Sequence, residues 1–276
     1  MQIIEASTQG WKQYQHPREG TLEVIPMGRG SADGINYNLT LTRYGEDSDA
    51  FVTPRHHHTF EQVRAPLVGN LNYGPGQEVP EGWLSYFPAG APYGPQRVSG
   101  GVVLLLQFGT DYLTSDQYKR AHRALEERGH FEGGNYHDTD LASGAARTRD
   151  AVDAVWTESL GRPIAHPRPR YGAPIVIDPD AFDWAPLAED PLVQCKGLGR
   201  FTERDVSLRR VRLDGGVLGL GPDRTQLVFS LSEGLEADGQ AHPAWTALWS
   251  ARGEEGAVSG TGGVEALVVE LPRALG

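Results

Sequence analysis

The stretch PRHHHTFEQVR, residues 54–64, sets three histidines side by side and follows them with an acid, an amide and a guanidinium. A helix would scatter consecutive histidines around its axis, whereas a strand sends successive side chains to opposite faces. On a strand, His56, His58, Phe60, Gln62 and Arg64 share one face, and Arg55, His57, Thr59 and Glu61 share the other. Which of these geometries applies depends on the chain around the histidines.

That chain has the rhythm of β structure. Between residues 21 and 112, short runs rich in β-branched and aromatic residues (TLEVIPMG, INYNLTLTRY, FVT, HHHTFEQVRAPL, NLNYG, GWLSYFP, GGVVLLLQFG) alternate with turn-forming segments such as GRGSADG, YGEDSD, GPGQEVPEG and PAGAPYGPQ. In INYNLTLTRY, Ile35, Tyr37, Leu39 and Leu41 alternate with polar residues, as on a half-buried strand. Residues 113–190 differ. TSDQYKRAHRALEERG (114–129) opens on capping candidates and closes on Gly129, and RTRDAVDAVWTESLG (147–161) puts Val152, Val155, Trp156 and Ser159 on one helical face before Gly161. The five prolines of RPIAHPRPRYGAPIVIDPD predict an extended crossing segment. From about residue 196 the β rhythm returns in FTERDVSLRRVRL, GVLGLG, TQLVFSLSEG, WTALWSARG and GVEALVVELP. Two β-rich segments around a helical connector suggest an internal duplication: residues 1–112, a connector at 113–190, and a second barrel at 191–276.

Composition narrows the function classes. A net charge of −11 argues against a nucleic-acid surface, which needs a basic footprint. Cys195 is the only cysteine, so neither an intrachain disulfide nor a thiolate metal cage can form, and its apolar setting suits a buried small side chain better than a nucleophile. No signal-like or membrane-length apolar segment is visible, so a cytoplasmic location is expected and the NLT sequon at 38–40 carries no meaning. GPGQEVPEG has the glycines of a phosphate loop but no following Lys-Ser/Thr, and reads as a turn. Two histidines at i and i+2 on an inward strand face, with a carbonyl-bearing side chain four positions on, can surround one cation from a single wall, and neutral imidazoles suit Zn, Cu, Fe and Ni.

These residues resemble the cupin superfamily, whose first motif reads G-x5-H-x-H-x3-E-x6-G and whose second reads G-x5-P-x-G-x2-H-x3-N. Here the first runs Ala50, His56, His58, Gln62, Gly69 and the second Gly82, Pro88, Gly90, Tyr93, Arg97, with every interval kept and 12 residues between the motifs. The resemblance implies an all-β fold of double-stranded β-helix (cupin, jelly-roll) barrels in two copies, joined by the two-helix segment. It implies one divalent metal, Fe(II) first and Mn, Ni, Zn or Cu otherwise, held by His56, His58, Gln62 and Tyr93. Gln62 stands where the family has glutamate, and Tyr93 where it has histidine. Tyr93 is then a phenolate ligand, an acid/base beside the metal, or a space-filling side chain, and Gln62 is a ligand or a hydrogen bonder behind the ligands. A one-residue bulge would instead turn Glu61 inward. Phe60, Tyr73, Tyr86 and Gln96 are candidates to line the barrel mouth, and Arg64 to hold a carboxylate or enolate by a bidentate fork.

The activity this implies is of dioxygenase type on a small keto, enol or phenolic substrate. The alternatives are a non-redox isomerase, lyase or cyclase using Tyr93 as acid/base, and a non-catalytic small-molecule-binding bicupin. TQLVFSLSEG sits where the second barrel's metal strand would come yet has no histidine, and His242 has no partner at ligand spacing. That half is expected to be structural, supporting the first barrel or a homodimer interface. Neither nucleic acid nor membrane is expected as a partner.

Overall fold

Gln62 and Arg64 lie on strand Glu61–Val68, in the middle of a seven-stranded sheet of the computed structural model, which describes residues 1–14, 16, 18, 20–110, 112–201 and 205–272. This strand pairs antiparallel with Val102–Gly109 on one side, setting Gln62 opposite Gln107, and with Leu84–Phe87 on the other, setting Gln62 opposite Phe87 and Arg64 opposite Ser85. In spatial order the sheet runs Ile175–Ile177, Leu84–Phe87, Glu61–Val68, Val102–Gly109, Ile35–Tyr44, Leu22–Ala32 and Lys12–Tyr14. Two antiparallel pairs, Phe51–Thr53 with Gln96–Val98 and the hairpin Leu71–Gly74 with Gln77–Val79, accompany it. Leu22, Tyr44, Phe51, Leu71, Val79, Val98 and Val103 fill the core that these elements share.

The three histidines themselves are not on the strand. Residues 54–60 are irregular except for one bridge, in which His56 and Tyr93 exchange backbone hydrogen bonds of 3.0 and 2.9 Å. The expected strand from His56 therefore starts only at Glu61. Pro54 has no N–H to give a ladder, and the carbonyls of His56 and His58 are taken by Tyr93 N and Gly90 N of the facing loop. The alternation of side chains persists without the ladder: His56, His58 and Phe60 are buried, while His57 and Thr59 are half-buried. Gln62 is 1% exposed and Glu61 half-buried on the opposite face, so the bulge that would invert them is not formed. Gly69, Gly82 and Gly90, the glycines at motif positions, all have positive φ (71°, 78° and 77°) in the turns that close this segment.

The middle of the chain holds a three-stranded sheet besides the two expected helices. Helix α1 (Ser115–Glu126) opens on a capping box, Thr114 accepting from Gln117 N while the Gln117 side chain accepts from Thr114 N. Helix α2 (Ala151–Leu160) begins four residues later than the sequence pattern suggested. Asp150 Oδ1 accepts from Val152 N and Asp153 N and so caps the helix there, while the preceding residues form strand Ala146–Asp150. That strand completes a three-stranded sheet with Gly129–Glu132 and Asn135–Thr139, turned at Gly133 and Gly134. Gly161 ends α2 in the left-handed conformation (φ 64°). Val152, Val155 and Trp156 of α2 pack with Leu125, Tyr136 and Phe60, and each such buried side chain contributes about 1.5–3 kcal/mol.

The chain divides into two compact units, Trp11–Val24 with Thr40–Val176, and Met1–Gly10 with Ile25–Leu39 and Ile177–Gly276. The second of these carries a seven-stranded sheet, in order Gln2–Glu5, Thr246–Ser250, Gln226–Ser230, Val264–Glu270, Val206–Leu213, Val193–Phe201 and Ala185–Pro186. Its four-stranded companion runs Val217–Leu220, Gly256–Ser259, Leu235–Ala237 and Gln240–His242. Val211, Val228, Leu248 and Val268 from one sheet and Leu218, Leu235 and Val258 from the other form one apolar core. The β-run expected from Phe201 includes residues 202–204, which lie outside the described residues. Cys195 packs against this core, and burial raises its thiol pKa, the reverse of what a nucleophile needs. The architecture is all-β, of the double-stranded β-helix type. No helix among the described residues is long and apolar enough to cross a membrane.

Candidate functional site

Two backbone links bring the histidine loop onto the loop that carries Tyr93: the His56–Tyr93 bridge, and Gly90 N donating to His58 O at 2.8 Å. Side chains from positions far apart in sequence thereby meet inside the first unit. The rings of His56 and His58 lie 4.9 Å apart, and that of Tyr93 is 4.3 Å from His56 and 6.0 Å from His58.

The hydrogen on His56 can be assigned from its partner. Nδ1 lies 2.8 Å from the Pro54 carbonyl, which can only accept, so Nδ1 carries the proton and Nε2 presents a lone pair. That Nε2 is buried with no hydrogen-bond partner among the described residues, and so is Nδ1 of His58. Burial pushes both imidazoles well below their ordinary pKa. The Arg18 charge adds to this at His56, and the neighbouring His56 and then Arg18 add to it at His58. Both rings are thus neutral. Buried nitrogen atoms lacking partners are uncommon in folded chains and each calls for a reason; two neutral imidazoles with ring centres 4.9 Å apart are of the ligand type that fits a transition-metal ion.

The oxygen donors are differently disposed. Gln62 Oε1 accepts from Arg64 Nε (3.2 Å), Arg64 Nη2 (2.9 Å) and Gln107 Nε2 (3.4 Å). Tyr93 Oη accepts from Gln62 Nε2 at 3.1 Å and Arg64 Nη2 at 2.7 Å. Arg64 also lies over the Phe87 ring at 4.2 Å. Its guanidinium is buried, and no carboxylate among the described residues pairs with it. Buried charges are ordinarily paired; this one rests instead on the neutral oxygens of Gln62 and Tyr93.

The remaining candidates are spread around this cluster. Phe60 stacks on His58 (4.6 Å, 18°) and joins Tyr112 and Trp156 behind it. Tyr73 meets Phe87 edge-on at 5.9 Å, and Phe87 in turn meets Tyr93 at 4.8 Å. Tyr86 stands opposite Val63, on the face of its strand away from Gln62, where burial and then the charge of Glu61 raise its pKa. Gln96 donates to the Asn72 carbonyl at 2.9 Å, and Arg97 to the Asp47 carbonyl at 2.7 Å. In the second unit His242 pairs with Glu5 at 2.9 Å and has no histidine, cysteine or further acid grouped with it among the described residues.

Sequence reasoning passed over Gln107, Phe87 and Arg18. Gln107 had a signal, a lone amide inside the apolar run VVLLLQFG. Arg18 had none: it is buried only because Asp150, 132 residues away, takes its guanidinium at 3.1 Å while also capping α2.

No family sequence model matches the chain, and no curated protein matches it in sequence. Solved structures do resemble it. A "putative dioxygenase" from Nostoc punctiforme superposes with a TM-score of 0.64 at 11% identity, over 100% of this chain and 84% of that one. Streptomyces albus HEPD, solved with 2-hydroxyethylphosphonate and Fe(II) bound, gives 0.57 at 13% identity, over 99% and 76%. Bacillus subtilis oxalate decarboxylase, whose Mn(II) centres are the subject of one of its structures, gives 0.52 at 12% identity, over 99% and 78%. At such identities the likeness is one of fold: the chain has the cupin-type double-stranded β-helix architecture that these structures share.

Proposed function

We propose that this chain is a metal-dependent cupin enzyme of dioxygenase type, acting on a small oxygenated organic anion of the keto, enol or phenolic kind. One observation carries the reading: among the described residues, two buried imidazole nitrogens have no hydrogen-bond partner, and the tyrosine beside them, Tyr93, accepts from a buried guanidinium that pairs with no carboxylate. His56 Nε2 and His58 Nδ1 would hold the ion, Fe(II) first and Mn(II) next, in keeping with the metals of the similar folds. When bound, it would supply a redox-active Lewis acid with positions open to a chelating substrate and to dioxygen.

The chain's own residues supply orientation and proton control. Arg64 is the anchor for a carboxylate or enolate, which its planar fork matches geometrically. Its hydrogens now rest on Gln62 Oε1 and Tyr93 Oη, two neutral acceptors that an anion outcompetes. Once Arg64 turns to substrate, the Tyr93 hydroxyl is free to donate to or accept from it, which makes Tyr93 the acid/base. Gln62, fixed by Gln107 and Tyr93, holds both in register. Phe60, Phe87 and Tyr73 provide apolar walls that keep water away from the reacting atoms.

A second reading, a non-redox lyase or isomerase, draws support from the two donors on Tyr93 Oη, which leave that hydroxyl's own proton as the one it can give. Purification without oxygen, elemental analysis, and oxygen uptake with 2-oxo acids, 1,3-diketones and catechols test both. Iron or manganese with uptake supports the dioxygenase. A non-redox metal with turnover and no uptake supports the lyase. A metal-free chain that binds but does not turn over these compounds overturns both in favour of a binding protein.

A further inference from the structure

The outward-facing histidine of the run has a setting of its own. His57, Asp153 of the first turn of α2 and His166 of the proline-rich crossing segment bring one donor atom each within 4.8 Å of one another. All three are half-buried, so the cluster is held by the fold yet open to solvent on one side. His166 Nε2 lies 3.0 Å from Asp153 Oδ2, and the rings of His57 and His166 stack at 3.6 Å with 28° between their planes.

We propose that His57, Asp153 and His166 form a second metal site, separate from the inward-facing pair His56 and His58, that takes a divalent transition ion with Zn(II) preferred. Two imidazoles and one carboxylate are a donor set of the kind that binds zinc with a fourth position left to water. Ligand atoms around tetrahedral zinc sit about 3.3 Å apart, from bond lengths near 2.0–2.1 Å. The His166–Asp153 pair already has an edge of nearly that length, 3.0 Å. The His57 donor atom lies within 4.8 Å of both and would close on the same ion by leaving its stack on His166. The carboxylate offsets one charge of the ion, and no basic side chain forms an ion pair with Asp153 among the described residues other than His166. The three donors come from three segments, the loop 54–60, α2 and the crossing segment 162–174, so the ion would cross-link them. It would also steady the loop from which His56 and His58 project inward.

Zinc titration of the chelator-stripped full-length chain tests this, with Co(II) as the optical probe of coordination. His58→Ala is the background in which the outer site is read alone. In it we expect one equivalent of Zn(II) to bind and to raise the melting temperature. His166→Gln in the same background should weaken Zn(II) at least about tenfold, the lower end of the losses seen when even outer partners of metal ligands are removed, and should abolish the zinc-dependent rise. Asp153→Asn, nearly isosteric, removes the charged donor and should weaken zinc in the same way should the histidine variant not fold. Unchanged zinc stoichiometry and affinity in both variants would overturn the proposal and leave an ion pair beneath a stacked ring. Failure of the inner site is separately visible: His58→Ala then has no effect on metal content, whatever the outer site does.

Discussion

Arg64 Nη2 donates to the phenolic oxygen of Tyr93 across 2.7 Å, joining a buried cation to the residue that occupies the fourth ligand position of the motif. The same guanidinium forks onto Gln62 Oε1, the third ligand position. Where two oxygen donors would face an ion, this chain has placed their oxygens under a positive charge. The inward face thus has a nitrogen side, His56 and His58, and a cationic side, Arg64, with Gln62 and Tyr93 between them.

Removing the Tyr93 oxygen separates these sides. In Tyr93→Phe the N–H groups of Gln62 and Arg64 that now meet Tyr93 Oη lose their acceptor. Leaving buried donors unsatisfied costs about 1–3 kcal/mol, which thermal unfolding should register as a drop of at least a few degrees. Metal content should stay at the wild-type level, because the proposed donors are the imidazoles of His56 and His58. Loss of the metal in this variant would instead make Tyr93 a ligand.

Arg64 should be indispensable for an anionic substrate and dispensable for the metal. Arg64→Lys keeps the charge but not the fork, so it cannot satisfy Gln62 and Tyr93 while also holding a carboxylate. We expect KM to rise roughly 10- to 100-fold in Arg64→Lys, about the worth of a lost charge-assisted hydrogen bond of 1.5–3 kcal/mol. An uncharged ester or amide of the substrate should show little difference between wild type and variant. Steady-state kinetics on an acid and its ester, side by side, decide the matter.

How much of the fold and the site is legible in the sequence follows from the range of the interactions. The alternation of His56, His58, Gln62 and Arg64 is a local property, and the motif intervals placed Gly69, Gly82 and Gly90 where positive φ is in fact required. The capping pattern of Thr114 and Gln117 is equally local. What stays hidden depends on distant partners. Whether the histidines sit on a strand is decided by Tyr93 and Gly90 taking their carbonyls. The late start of α2 is decided by Asp150, which serves Arg18 and the helix cap together. The strands 129–150 are polar on both sides of the Gly133–Gly134 turn, and Arg147 pairs with Asp138 across them, so no hydrophobic period announces them. Phe87 and Gln107 face Gln62 through strand register, which no single stretch encodes.

Gly90 couples the histidine loop to the crossing segment. Its φ of 77° is left-handed, and a Cβ there would come to 2.0 Å from the Pro167 carbonyl oxygen. Gly90→Ala must therefore both bear the left-handed penalty of roughly 1–2 kcal/mol and displace Pro167. Since Gly90 N also holds the His58 carbonyl, the loss should reach the proposed metal donors. The expected outcome is a destabilised chain that binds less metal, measured by chemical denaturation and elemental analysis. Gly82→Ala is the control: it shares the positive φ (78°) but has open space around the added carbon, so it should cost the backbone penalty and leave metal content alone.

Buried phenols set the alkaline limit of stability. Burial raises the pKa of Tyr44 and Tyr86, and at Tyr86 the charge of Glu61 raises it further. In the unfolded chain a tyrosine loses its proton near pH 10, while burial keeps these two protonated to higher pH in the folded chain. Above pH 10 the unfolded state thus binds fewer protons than the native one, and stability falls as pH rises, by up to about 1.4 kcal/mol per pH unit for each such tyrosine. Below pH 10 their contribution is fully present. Denaturant unfolding at pH 8, 9, 10 and 11 should show this decline, with the tyrosinate absorbance of Tyr86 appearing only together with unfolding. Tyr86→Phe removes one titrating group and should make the decline above pH 10 shallower. An identical slope in the variant would mean that Tyr86 ionises within the folded chain.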